Sequence, residues 1–178
     1  MAGRYVTVSI PSVTRYLTLC EVQVFAEPKP VTNVARAGVA SQSSSFSAET
    51  TASRAIDGVL GSDYALRQIT HTNPDLPAWW RVDLMATYRI ASVAVTNRVD
   101  AVPERLNGAE IRIGNSLEKN GVVNPRCTTI VTLGSVVTKS FNCGGMSGRY
   151  VTVSIPGRPE WLSLGEVQVF ALPPDGEF

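Results

Sequence analysis

The sequence predicts an all-β protein, an antiparallel β-sandwich with jelly-roll topology. Three observations carry that expectation. Apolar and polar residues alternate over short runs, turn-forming residues separate the runs, and no helical period extends beyond Thr51–Asp57. Trp80, Val82 and Leu84 alternate with Trp79, Arg81 and Asp83. Ala91, Val93 and Val95 alternate with Ser92, Ala94 and Thr96. Ala109, Ile111 and Ile113 alternate with Glu110 and Arg112, and Val151, Val153 and Ile155 with Tyr150, Thr152 and Ser154. Period two over such lengths marks half-buried strands. Asn73-Pro74, Asn107-Gly108, Gly114-Asn115, Asn124-Pro125 and Gly144-Gly145 punctuate them. Sandwiches of this kind carry function on loops at one end.

The chain has 178 residues, enough for one domain of ordinary size with its own core. Sixteen basic and fifteen acidic residues leave a net charge of +1, which excludes a strongly basic footprint for nucleic acid or anionic lipid. No apolar run reaches the roughly 18 residues of a membrane span, so membrane insertion is not expected. The opening MAGRYVTVSI lacks the shape of a secretory signal, which leaves a cytosolic protein or a piece of a longer one. No Asn-x-Ser/Thr sequon is present, so N-glycosylation is not expected. Three cysteines suggest one pair and one leftover.

An internal repeat organises the chain. Residues 3–26 read GRYVTVSIPSVTRYLTLCEVQVFA and residues 148–171 read GRYVTVSIPGRPEWLSLGEVQVFA, identical at 17 of 24 positions with an offset of 145. Residues 1–26 are therefore expected to be the C-terminal fragment of a preceding repeat in a tandem array. Residues 27–30 form a linker and 31–178 one complete domain. The fragment can compete with 148–171 for its place, within a chain or between chains, which makes self-association through residues 1–26 an expectation.

The only histidine, His71, sits in the polar run ThrHisThrAsnPro. The segment RVDAVPER (98–105) holds Arg98, Asp100, Glu104 and Arg105, which read alone is a solvated turn with ion pairs. The spacing joins them: twenty-six residues separate His71 from Arg98, one separates Arg98 from Asp100, and four separate Asp100 from Arg105. With WWRVDL (79–84), RLNGAEIRIGNS (105–116) and AIDG (55–58), this pattern resembles the F-type lectins, the fucose-binding family first known from eel agglutinin. The resemblance runs from about Val31 to Ala171, with the partial copy at 3–26.

The resemblance implies a jelly-roll sandwich of discoidin-like topology that binds L-fucose in fucosylated glycans without transforming it, on a secreted protein. By carry-over, His71, Arg98 and Arg105 hydrogen-bond the ring oxygen and the 3- and 4-hydroxyls. Asp100 orients an arginine, and Tyr64 is the candidate apolar lining for the fucose methyl. The residue chemistry agrees. A guanidinium fork spans neighbouring hydroxyls, and a neutral imidazole donates from one nitrogen and accepts at the other.

Two departures stand out. Many members carry adjacent cysteines after the motif Asp, where this chain has Ala101 and Val102. A second family disulfide is lost at both ends, where Ile69 and Gly165 stand, while Cys20 in the N-terminal copy keeps the thiol. The third family disulfide implies a Cys127–Cys143 bridge across neighbouring strands. The family's structural calcium implies carboxylates from Asp57 and Glu166, backbone oxygens from Arg54, Val59 and Gly165, and the Gln68 amide where a serine is usual.

Two other function classes compete with this one. A discoidin-like adhesion module uses the same sandwich for proteins or lipids, and loss of the adjacent cysteines favours it slightly. A glycosidase needs two carboxylates across a bond. Asp75, Asp83 and Asp100 exist, but nothing marks them as a pair. No GxSxG, P-loop or HExxH occurs, so an enzyme is not expected.

Overall fold

A computed structural model describes residues 5–11, 16–23, 31–133 and 137–173. The linker at 27–30 and parts of the repeat segment (1–4, 12–15 and 24–26) lie outside the described residues, as does the tail 174–178. Two compact units are present: Val31–Leu172, and Met1–Pro30 with Pro173–Phe178. In the second unit, the described residues between 5 and 23 are exposed and carry no strand.

The Val31–Leu172 unit is all-β and antiparallel. Its strands are β1 (Thr32–Asn33), β2 (Val39–Gln42), β3 (Thr70–His71), β4 (Ala78–Asn97), β5 (Glu110–Gly114), β6 (Arg126–Thr129), β7 (Thr138–Ile155) and β8 (Ser163–Ala171). Short 3-10 turns at Ala52–Ile56, Pro103–Leu106 and elsewhere join them, and no α-helix occurs among the described residues.

Two long strands build both layers. The first half of β4 pairs with β2 and with the second half of β7, which also pairs with β5; β5 in turn pairs with β6. Beyond Met85, whose φ of 66° turns the corner, β4 pairs instead with β8 and with the first half of β7. β1 and β3 both pair with β8. One hydrogen-bonded ladder thus folds into two layers. Trp80, Val82, Ile111, Ile113, Val151 and Val153 of one layer join Ile90, Val93, Val95, Leu164, Val167 and Val169 of the other in a single core. Trp80 is fully buried, with its indole N–H donated to the Ala52 carbonyl at 2.9 Å, so its burial strands no polar group.

The alternation at 80, 82 and 84 matches the buried face. Three expectations are corrected. In the second half of β4 the inward residues are Ile90, Val93 and Val95, not Ala91, because a bulge between Ile90 and Ser92 shifts the phase. Thr152 and Ser154 of β7 are buried as well as their apolar neighbours: Thr152 lies under the 115–124 loop, its hydroxyl donating to the Asn120 carbonyl at 3.5 Å. Cys127 and Cys143 are bonded, but across strands that do not pair with one another.

Cys127 lies on β6 at the edge of one layer, and Cys143 lies on the β7 half that belongs to the other. The bridge therefore staples the layers and closes a loop of sequence separation 16. Replacing both cysteines by serine should cost roughly 2–3 kcal/mol. A thermal unfolding scan showing no loss would contradict that role.

Candidate functional site

The site residues come from loops and strand ends at one end of the sandwich. His71 ends β3, and its backbone is tied on both sides: its N–H donates to the Thr50 carbonyl at 3.2 Å and its carbonyl accepts from the Phe46 N–H at 2.9 Å. The sequence placed His71 in a polar loop. It is instead a strand residue, 4% exposed, paired with Ser163 of β8. Its Nδ1 lies 2.7 Å from the Ser163 hydroxyl, which leaves Nε2 for a ligand. The Phe46 and Tyr64 rings sit 4.9 Å and 5.9 Å from the imidazole, and 6.3 Å from each other.

Arg98 follows the end of β4, where the Val99 N–H donates to the Ser62 carbonyl at 3.2 Å and so ties its loop to the one bearing Tyr64. Its Nε and Nη2 donate to the two oxygens of Asp100 at 2.8 Å and 2.9 Å, a bidentate fork. That fork lies over the Tyr64 ring, 5.0 Å from its centroid. Hydrogen bonding from Arg98 holds the Asp100 carboxyl below its ordinary range. Asp100 thus fixes the orientation of the Arg98 guanidinium.

Arg105 sits in the Pro103–Leu106 turn. Its guanidinium stacks over Trp161 at 4.6 Å and faces Glu160 at 3.5 Å. Glu160 also faces Arg158 at 3.6 Å, and the Arg158 fork donates to the Arg105 and Asn107 carbonyls at 2.9 Å and 2.7 Å. Each site arginine therefore has its own carboxylate and its own aromatic face. Both cations act on His71. Burial first, then Arg98 and Arg105, push its pKa down to about 4, so the imidazole is neutral at pH 7. The arrangement presents two fixed guanidinium forks and a neutral imidazole beside the exposed Phe46 ring and the half-buried Tyr64 ring. That suits a neutral polyol with vicinal hydroxyls and an apolar edge.

Phe46, Arg158, Glu160, Trp161 and Ser163 belong to this site and were missed by the sequence reading. A signal for the last four existed. All seven differences between the two repeat copies fall within 157–165, while the flanking strands are identical. A segment that varies between identical strands is where function resides.

The carboxylates Asp75, Asp83 and Asp100 are engaged separately. Asp75 accepts from the Ser43 and Ser44 hydroxyls at 2.6 Å and 2.5 Å, and Asp83 forms a bidentate pair with Arg149 at 2.7 Å and 2.8 Å. Asp100 holds Arg98 as described.

Of the residues expected to hold calcium, Asp57 and Glu166 lie near one another where β8 meets the 57–68 loop. Glu166 is 1% exposed. Its Oε1 accepts the Gly58 N–H at 3.1 Å, while its Oε2 is buried without a partner. Burial, and next the Asp57 charge, raise its pKa to about 7. Asp57 Oδ1 accepts the Val59 N–H at 2.8 Å, and Arg54 lies in the preceding 3-10 turn. Gly165 packs on the Gly61 carbonyl, and Gly61 in turn on the Gln68 side chain, so tightly that a Cβ at either glycine would overlap its neighbour. Among the described residues no three His, Cys, Asp or Glu side chains converge, so a cation here relies on two carboxylates plus carbonyl and amide oxygens. That donor set, with an unpaired buried carboxylate oxygen, fits a hard divalent cation.

The profile of the NedA-like, galactose-binding domain of the F5/F8 type C group matches residues 54–153. Fucolectin-4 of Anguilla japonica is 50% identical, over 80% of this chain and 81% of its own. A pentraxin fusion protein of Xenopus laevis is 48% identical over 79% of this chain, which spans 34% of that protein's length. The crystal structure of a fucolectin from the serum of Morone saxatilis (striped bass) superposes with a TM-score of 0.76 at 46% identity. That match covers 80% of this chain and 48% of the other, so this chain spans about half of it. The chain belongs to the F-type lectin (fucolectin) family, within the F5/F8 type C group of domains.

Proposed function

We propose that the Val31–Leu172 unit binds L-fucose at the end of fucosylated glycans and leaves it unchanged. The observation that carries this reading is the assembly of one neutral imidazole and two separately neutralised guanidiniums beside Tyr64 and Phe46. The fucolectin relatives support it. In this reading His71, Arg98 and Arg105 engage the ring oxygen and the 3- and 4-hydroxyls, and the Tyr64 and Phe46 rings receive the methyl group. The 4-hydroxyl of fucose is axial, so donors placed for it disfavour sugars in which it is equatorial. Ala101 and Val102 leave an apolar surface after Asp100. The parent protein is secreted and presents such units in tandem, where several weak sites gain avidity on one glycan-bearing surface.

Calcium belongs to the same proposal. Asp57, Glu166, the Gln68 amide and the carbonyls of Arg54, Val59 and Gly165 would hold it, and it would neutralise the two carboxylates and fix the loop that leads to His71. Glu166→Gln should abolish the thermal stabilisation that saturating calcium confers, about 2 kcal/mol or more at a hundredfold excess over Kd. Scans in calcium and in chelator check it. Equal calcium-induced shifts in both proteins would remove Glu166 from the site.

Calorimetric titration of L-fucose into the protein with calcium present tests the binding reading. Saturable heat with a Kd between about 1 μM and 1 mM is the expected outcome. A folded protein that gives no heat would overturn it.

A further inference from the structure

Asp75 links two parts of the candidate site. Its Oδ2 accepts two hydrogen bonds at once, from the Ser43 hydroxyl at 2.6 Å and the Ser44 hydroxyl at 2.5 Å. Both serine oxygens are themselves acceptors. Ser43 Oγ takes the Trp79 N–H at 3.3 Å and Ser44 Oγ takes the Asn73 N–H at 2.9 Å. A hydroxyl has one hydrogen to give, and the carboxylate collects it from each serine. The main chain of Asp75 makes a separate contact. Its carbonyl accepts the Glu160 N–H at 3.3 Å, in an antiparallel bridge between the two residues.

The two contacts lead to different edges of the site. Ser43 and Ser44 open the loop that carries Phe46, whose ring lies 4.9 Å from the His71 imidazole. Further along, the Phe46 N–H and the Thr50 hydroxyl both donate to the His71 carbonyl, at 2.9 Å and 3.3 Å. The 43–50 loop is thus held at its start by Asp75 and at its middle and end by His71. Phe46 is 50% exposed, so its ring owes its place more to these anchors than to packing. The other edge is Arg105, set by Glu160 and Trp161. There the support is independent of the Asp75 side chain. Thr72 donates its N–H to the Leu162 carbonyl at 3.0 Å, and its hydroxyl accepts the Leu162 N–H at 2.9 Å.

We propose that Asp75 is a positioning residue for the sugar methyl: its carboxylate, through Ser43 and Ser44, sets where the Phe46 ring stands. The sugar part rests on the proposed function. The placement of the ring rests on the hydrogen bonds alone.

Titrations of L-fucose and D-arabinose separate the two edges. The D-arabinose pyranose ring carries the hydroxyls of L-fucose in the same arrangement and lacks the methyl. The parent protein should prefer L-fucose by about tenfold, the size expected for one methyl group in an apolar niche. Asp75→Ala should reduce that preference to about threefold or less, chiefly through weaker fucose binding. Asp75→Asn keeps an oxygen for the two hydroxyls and should retain the preference. Ser44→Ala removes one of the two grips and should fall between, and it carries the test if Asp75→Ala does not fold. Phe46→Ala sets the floor, and adding Asp75→Ala to it should cost no further preference. A parent that binds both sugars equally, a folded Asp75→Ala that weakens both alike, or one that keeps the full preference would overturn the inference.

The imidazole proton resonances of His71 read the ring without sugar, because Phe46 lies close enough to shift them. In Asp75→Ala they should move in the direction in which Phe46→Ala moves them. If the parent binds neither sugar, the fucose reading falls and these resonances decide the positioning alone. Resonances that stay in place in Asp75→Ala would overturn it.

Discussion

Arg105→Ala should abolish detectable fucose binding, a loss of roughly three orders of magnitude. A guanidinium that donates two hydrogen bonds to sugar hydroxyls supplies on the order of 4 kcal/mol, because bonds to charged groups contribute about 1.5–3 kcal/mol each. The fork is already stacked on Trp161 and set by Glu160, so little ordering entropy opposes binding. Arg105→Lys should not restore affinity, since an ammonium cannot span two hydroxyls or stack on an indole in the same way. Glu160→Gln separates orientation from contact. It leaves the guanidinium in place without its counter-charge and should weaken binding by about tenfold. Titration of the three variants, with the fold checked by circular dichroism, reads the series. Full affinity in Arg105→Ala would place the sugar elsewhere.

Much of this was legible because it is local. The alternation around Trp80, Val82 and Leu84 survives because one face of that half-strand meets the core and the other carries Trp79, Arg81 and Asp83 outward. The reading failed where a local pattern meets a non-local event. Ala91 lost its place to Ile90 through a bulge. Thr152 looks like part of a solvent face but is covered by the 115–124 loop, which no local pattern announces. The His71, Arg98, Asp100 and Arg105 spacing was visible as a pattern, and the structure supplies its physics. Asp100 could be assigned to an arginine because it stands only two positions after Arg98. Glu160 and Trp161 arrive beside Arg105 through the turn between β7 and β8, more than fifty residues downstream, and no spacing rule joins them.

Stability should fall by about 3 kcal/mol as pH drops from 6.5 to about 4, through His71 alone. Its folded pKa of about 4 lies below the ordinary value of 6.5, so the unfolded chain binds more protons across that window. The contribution is fully present above pH 6.5 and is lost as pH falls through 4. Two and a half units at about 1.4 kcal/mol each set the size. Other groups titrate nearby. Asp83, Asp100 and Glu110 are held below their ordinary carboxylate range, and Glu166 is raised to about 7 with the opposite slope. Subtracting the denaturation profile of His71→Gln from that of the parent cancels these shared contributions. The remaining difference belongs to the chain's single histidine. That histidine also gives one imidazole resonance, which should titrate near pH 4 and not near 6.5. Fucose affinity should accordingly stay level between pH 8 and about 5, because the imidazole keeps the same neutral form throughout. An imidazole titrating near 6.5, or parallel stability profiles for the two proteins, would mean that the two arginines and burial do not act on His71 as the geometry requires.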